Sequence, residues 1–318
     1  MRISRLGVTL ALGLFVQAAF SQTPPTSGAP APMTAEQRQA EIAKAAEAAN
    51  KAAIAGPATQ GMLDQADFTI EKEFDYIPTA EGAAFMRAMG NRIGPNFVGL
   101  ISPHGEGNWI AVVSFSKDGY IKDDDAKDWN ADDLYDKLSK GNEAGNEERR
   151  QRGFDEIEML GWIERPVYDA TTHRLIWSVA TRAKNKPGAS QSAHYNTYLL
   201  GREGYFSIEF ITPQSTIEAR KPIARQLLAD VAFKPGKRYE DFSASTDKVA
   251  AYGLAALVGG IALKKLGLLA LGAAFFAKFA KLIIVGAVAA MAAFKKFFRR
   301  TPKSQPQSAL PQPEKETP

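Results

Sequence analysis

The sequence predicts an α+β fold, with an antiparallel sheet built from hairpins, flanking helices, and a C-terminal hydrophobic helical anchor. Three observations lead there. Between residues 156 and 211, short runs alternate apolar and polar side chains and are separated by turn residues, the period-two signature of neighbouring hairpin strands. Helical patterns lie before and after those strands rather than between them, which segregates helices from sheet. Apolar blocks occupy the two ends of the chain and fit neither pattern.

Taken in order, residues 1–21 carry Arg2 and Arg5, an apolar run over 6–20, and Ala19 and Ser21 around a cleavage point, the layout of a signal peptide. The alternative, an N-terminal membrane helix, has only a short run, followed at once by a Pro/Ser/Ala stretch. Residues 22–60 read as a disordered linker and an Ala-rich helix. Thr34 with Gln37 fits a capping box, and Gly56-Pro57 ends the helix. Its alanine faces bury little, so it is expected to act as a spacer, packed loosely or apart from the domain.

Residues 61–247 form the expected extracytoplasmic α+β domain. Strands are expected at 68–74 and 109–115, a short helix at 79–89, and a turn at Lys117-Asp118-Gly119. Asn130 with Asp133 caps a helix through Leu134 and Leu138, and a second charged helical stretch reaches Arg152. Strands at 156–168, 173–183, 194–200 and 205–211 then make a meander. Ser215 with Glu218 suggests a capping box for a helix ending near Leu228, and 231–233 returns as a short strand.

Beyond residue 247 the character changes. Residues 22–247 hold 26 Lys plus Arg against 33 Asp plus Glu, a charge of −7; residues 248–318 hold 11 against 2, a charge of +9. The positive charge therefore lies in an apolar tail, which points to a lipid bilayer as partner and away from nucleic acid. Residues 248–300 read as membrane-associated helices and 301–318 as a disordered Pro-rich tail. A single helix over 249–294 would span about 69 Å, over twice a ~30 Å hydrocarbon core, so a break is expected near Lys264-Lys265-Leu266-Gly267. The crossing is placed within 268–294. Lys278 and Lys281 lie on one face of it, and Lys295, Lys296, Arg299 and Arg300 form the basic flank assigned to the cytoplasm. A two-crossing hairpin and a surface-lying amphipathic segment are the alternatives. Small residues at 255, 256, 259 and 260 would permit self-association through the anchor.

The runs GWIERPVYDATTHRLIW (161–177), YNTYLLGREGYFSI (195–208) and FKPGKRYEDFSASTDKVAAYGLAALVGG (233–260) resemble a bacterial membrane-anchored family, domain of unknown function 2167. The resemblance extends over roughly 56–270 through GNRIGPNFVGLISP, KDDDAKDWNADDL and NEERRQRGF. It implies no catalytic residues. Glu164-Arg165-Pro166 stands where family members often have Glu-Pro-Pro.

Chemistry is sparse. With no cysteine, thiol nucleophiles and disulfides are excluded. Asp123, Asp124 and Asp125, at the head of an acidic cluster with Asp128, Asp132 and Asp133, are the candidate metal ligands, since oxygen-rich loops hold calcium. The cluster lacks the glycine and terminal glutamate of an EF-hand, and turn or cap roles compete. His173, expected on a strand after the 169–172 turn, groups with Asp169, Tyr168, Trp162 and Trp177 as a candidate binding site; aromatics on strands also fill cores. Nucleotide motifs are incomplete and no cofactor is implied. The expected function is a binding or assembly module of the bacterial cell envelope, held at the inner membrane and facing the periplasm, with an envelope protein as partner. The alternative is an envelope hydrolase using His173 or His194.

Overall fold

Thr34 and Gln37 form the capping box: the Gln37 N–H donates to Thr34 Oγ1 (3.2 Å) and the Thr34 N–H to Gln37 Oε1 (2.9 Å), opening α1 (Ala35–Ala52). In the computed structural model, which describes residues 34–127 and 129–259, this helix is not a detached spacer. Ala46 and Ala49 are buried against α2 (Thr79–Ala88), because alanine lets the two helices lie close. Between them run β1 (Ile54–Ala55), β2 (Ala58–Met62), β3 (Ala66–Ile70) and β4 (Phe74–Ile77). The single strand expected over 68–74 is thus two, separated by the exposed charged run Glu71-Lys72-Glu73. Gly56 is required where it stands, since a Cβ there would collide with the Glu71 carbonyl.

The chain continues through β5 (Phe97–Pro103), β6 (Ile110–Ser116) and β7 (Tyr120–Lys122) to α3 (Ala131–Gln151). Asn130 caps α3, accepting from the N–H groups of Asp132 and Asp133. The two helical stretches expected here are one. Asn142 and Asn146, both buried on α3, donate to the Ile157 carbonyl (2.7 and 2.8 Å), and the Ile157 N–H donates back to Asn146 Oδ1 (2.8 Å). The Asn146 amide thereby acts as a short piece of strand against the start of β8 (Ile157–Asp169).

The meander follows as expected: β8, β9 (Arg174–Ala183), β10 (Ser192–Leu200) and β11 (Tyr205–Pro213). Together with the N-terminal strands they make an eight-stranded antiparallel sheet in the order β1-β4-β5-β6-β11-β10-β9-β8. The tight turn between β10 and β11 needs Gly204, whose φ is +159° and whose Cβ would meet the Ser116 carbonyl. One face of the sheet packs on α4 (Ile217–Ala229) and on a small sheet of β2, β3 and β12 (Val231–Phe233), around Phe68, Phe206, Phe210 and Tyr195. The other face carries two separate apolar clusters, one under α1 and α2 and one under α3. The capping box expected at Ser215 and Glu218 does not form. Thr216 precedes α4 and turns its hydroxyl to the Pro213 carbonyl (2.9 Å) instead.

Residues 249–259, read from sequence as the head of the membrane-associated tail, pack on this domain. β13 (Val249–Gly253) pairs in parallel with β7, and α5 (Ala255–Gly259) follows with Leu254, Leu257 and Val258 fully buried. Arg202 grips Asp247 through two hydrogen bonds (2.7 and 2.8 Å) just before β13. Among the described residues no helix is long and apolar enough to cross a membrane. The signal peptide (1–21), the linker up to residue 33, Asp128, the crossing within 268–294, Lys278, Lys281, Lys295, Lys296, Arg299, Arg300 and the tail 301–318 lie outside the described residues.

Candidate functional site

The β8–β9 hairpin turn brings the most chemistry to one place. Asp169 organises it, with Oδ1 accepting from the Thr171 N–H (2.9 Å) and Oδ2 from the Thr172 hydroxyl (2.7 Å). Those bonds, the hydroxyl's first, hold the Asp169 carboxyl below its usual range. Asp169 is thus committed to the turn rather than to a ligand. His173 lies in the turn and not on the strand, at φ +53°, a left-handed conformation that a non-glycine residue seldom adopts.

Around His173 the structure assembles side chains from three parts of the chain, 120–123, 168–173 and 239–242. The Tyr168 hydroxyl donates to Asp123 Oδ2 (2.7 Å) and lies 3.2 Å from His173 Nδ1. Burial, then the bond to Asp123, pushes the Tyr168 phenol well above its ordinary range, so it remains a donor. With its one proton directed at Asp123, the phenol oxygen is left to accept from His173 Nδ1–H. The imidazole stacks on Tyr239 (centroids 4.0 Å apart), Tyr239 on Tyr120 (4.4 Å), and Tyr120 on Phe242 (3.9 Å). Burial also raises the Tyr239 phenol, which donates to the Ile121 carbonyl (2.8 Å). Tyr120, Tyr168, His173 and Phe242 are each half-buried, giving a patch of ring faces edged by one carboxylate.

The other expected site residues disperse. Trp177 is a core residue at 2% exposure, and Trp162 packs edge-on against it and against Tyr135 of α3 (5.9 and 5.4 Å). The acidic cluster separates as well. Asp123 serves Tyr168, and Asp125 accepts from the N–H groups of Leu254 (2.9 Å) and Ala255 (3.1 Å), capping α5. Asp124 is exposed in a single helical turn. Among the described residues no three acidic or histidine side chains are placed to hold a metal.

His194 is fully buried in β10, with Nδ1 2.9 Å from Glu209 Oε1 and Nε2 3.0 Å from Thr181 Oγ1. Hydroxyl, imidazole and carboxylate in line is the order of a nucleophilic relay. Thr181 is 1% exposed, however, so the hydroxyl faces no solvent. Sequence reasoning missed this line because Thr181, His194 and Glu209 sit on three different strands and meet only through register. Tyr120, Tyr239 and Phe242 were missed for the same reason, being distant in sequence from the hairpin they cover.

The fold and patch define a mixed α+β domain with a large antiparallel sheet. A family model described as Protein of unknown function (DUF2167) matches residues 55–289, and the chain belongs to that family. No curated protein matches it. Among solved structures, the chain is similar to cyanobacterial PsbP (CyanoP) from Synechocystis in solution, with 10% identity and a TM-score of 0.36 over 57% of this chain and 95% of that one.

Proposed function

We propose that this chain is a membrane-held module on the periplasmic side of the bacterial inner membrane, and that it binds or assembles with an envelope protein through the patch around His173. The observation that carries the reading is where the patch lies. Tyr120 is the register partner of Val249, the first residue of β13, so the ring faces sit beside the last strand before the basic apolar tail. Half-buried aromatic rings with a polar tip supply contact area at low entropic cost, as interface anchors do. The apolar run at the N-terminus and the +9 tail support export and membrane attachment.

Co-purification from solubilised membranes tests this, comparing the native chain with a Phe242→Glu, His173→Ala variant. One defined partner kept by the native chain and lost by the variant is expected. Equal retention by both, or no partner in repeated preparations, refutes it. A second reading, an envelope hydrolase using His173 or His194, rests only on the order of groups in the Thr181–His194–Glu209 line and requires the buried Thr181 hydroxyl to become accessible. A hydrolase screen in which His194→Ala and His173→Ala leave any detected activity unchanged removes that reading.

A further inference from the structure

Arginines gather where the start of α1 and the ends of α2 and α3 meet. Phe154 follows α3 after the left-handed Gly153 (φ +73°) and lays its ring on Gly90, just past α2, where a Cβ would come within 2.2 Å of it. The Arg38 guanidinium of α1 lies 4.7 Å from the centroid of that ring and the Arg152 guanidinium 5.3 Å, so the two are no further apart than those distances together. Arg149, on the last turn of α3, adds a third positive charge. Burial, then the charge of Arg152, pulls its guanidinium below its ordinary range. Glu148 meets Arg92 at 2.9 Å and Arg152 at 3.9 Å.

Arginines at the end of α3 suit the negative end of a helix dipole, whereas Arg38 does not suit its place. It stands in the first turn of α1, where a cation is disfavoured, and among the described residues no carboxylate forms an ion pair with it. Its Nε is enclosed without a hydrogen-bond partner, although the residue as a whole is only half-buried. An unpaired guanidinium held beside like charges at the positive end of a helix needs an explanation. The cluster is open to solvent: the side chains of Arg152 and Arg92 are 37% and 43% exposed, and a Cβ at Gly153 would meet nothing within 4 Å.

Guanidiniums only donate, so the missing partner is an acceptor with negative charge. A carboxylate has two oxygens in one plane and fits one guanidinium fork. A tetrahedral phosphate has oxygens to spare for forks that arrive from different helices. We propose that Arg38 and Arg152, with Arg149 adding to the field, bind a phosphate group. Residues 131 and 149 are about 27 Å apart along α3 at ~1.5 Å per residue, so this site is remote from the His173 patch and its failure would leave that reading untouched.

Titration calorimetry on the full chain in maltoside micelles, at fixed ionic strength, tests the assignment. Inorganic phosphate and glycerol 3-phosphate stand for a soluble source, glycerophosphoglycerol for a lipid headgroup, and acetate for a carboxylate. Saturable binding of a phosphate probe is expected, and the probe bound most tightly tells the two sources apart. Arg38→Gln and Arg152→Gln should each weaken it about tenfold or more, and Arg38→Lys, which keeps the charge and loses the fork, should weaken it less. Arg38→Gln takes an unpaired cation from the first turn of α1, so it should melt like the native chain, which separates lost binding from lost fold. No binding of any phosphate probe, acetate bound as tightly as phosphate, or glutamine variants that bind like the native chain overturns the proposal.

Discussion

Asp125→Ala should release the end of the domain while leaving the large sheet intact. The Asp125 carboxylate is the acceptor for two backbone N–H groups, Leu254 and Ala255, at the start of a helix only five residues long. A hydrogen bond to a charged acceptor contributes ~1.5–3 kcal/mol, and the half-buried carboxylate sits at the lower end, so the loss is about 3 kcal/mol. The segment it secures buries Leu254, Leu257 and Val258, at ~1.5–3 kcal/mol each. A loss of about 3 kcal/mol favours local opening of this segment. Hydrogen exchange followed by mass spectrometry on the full chain should show amides at 254–258 exchanging about 100-fold faster, with β10 and β11 unchanged. Unchanged exchange at 254–258 would refute the capping role. Calcium that slows exchange there in the native chain but not in the variant would return the carboxylate to metal binding.

Two further outcomes come from buried polar groups of the domain and a third from the charge of the tail. Asn146→Ala removes both bonds to Ile157 and strands a buried N–H, so urea unfolding should show a loss of ~2–4 kcal/mol; a loss under ~0.5 kcal/mol would mean the amide is not acting as strand. Asp230→Asn should stabilise by ~1 kcal/mol near neutral pH, or ~2–4 °C in melting temperature, because Asp230 is 9% exposed with Oδ2 unpartnered at the C-terminal end of α4. Burial raises the folded-state Asp230 carboxyl, so its destabilisation is present above that raised value and disappears as pH falls through the ordinary carboxylate range; the gain from the substitution should shrink with it, and a gain that grows in acid would contradict the assignment. A reporter fused after Pro318 should be cytoplasmic and one inserted near Thr26 outside, and changing Lys295, Lys296, Arg299 and Arg300 to Gln should give mixed orientation; a native fusion found outside would replace the single crossing with the hairpin.

The strands of the meander were legible because period-two alternation and glycine turns are local, and β8 to β11 fall within a residue or two of the expected bounds. Register was not. Thr181, His194 and Glu209 come into line only through pairing across three strands, and Arg38 comes to Phe154 from the first helix of the domain. Asp125 looked like a ligand because an acidic run has the same composition whether its carboxylates face an ion or backbone N–H groups. The residues at 249–259 looked like membrane for a related reason: Leu254, Leu257 and Val258 are equally suited to lipid and to a protein core, and composition does not distinguish the two solvents. The displacement at His173 was smaller, since the turn took one residue more than alternation suggested and β9 begins at Arg174.

The most direct test of the binding role is photo-crosslinking in intact cells, with a photoreactive residue at position 173 or 242 of the full chain and a control at Lys44, exposed on α1. A discrete adduct with an envelope protein is expected from 173 and 242 and none from Lys44. Adducts of equal pattern from all three positions, or none from 173 and 242, would contradict it.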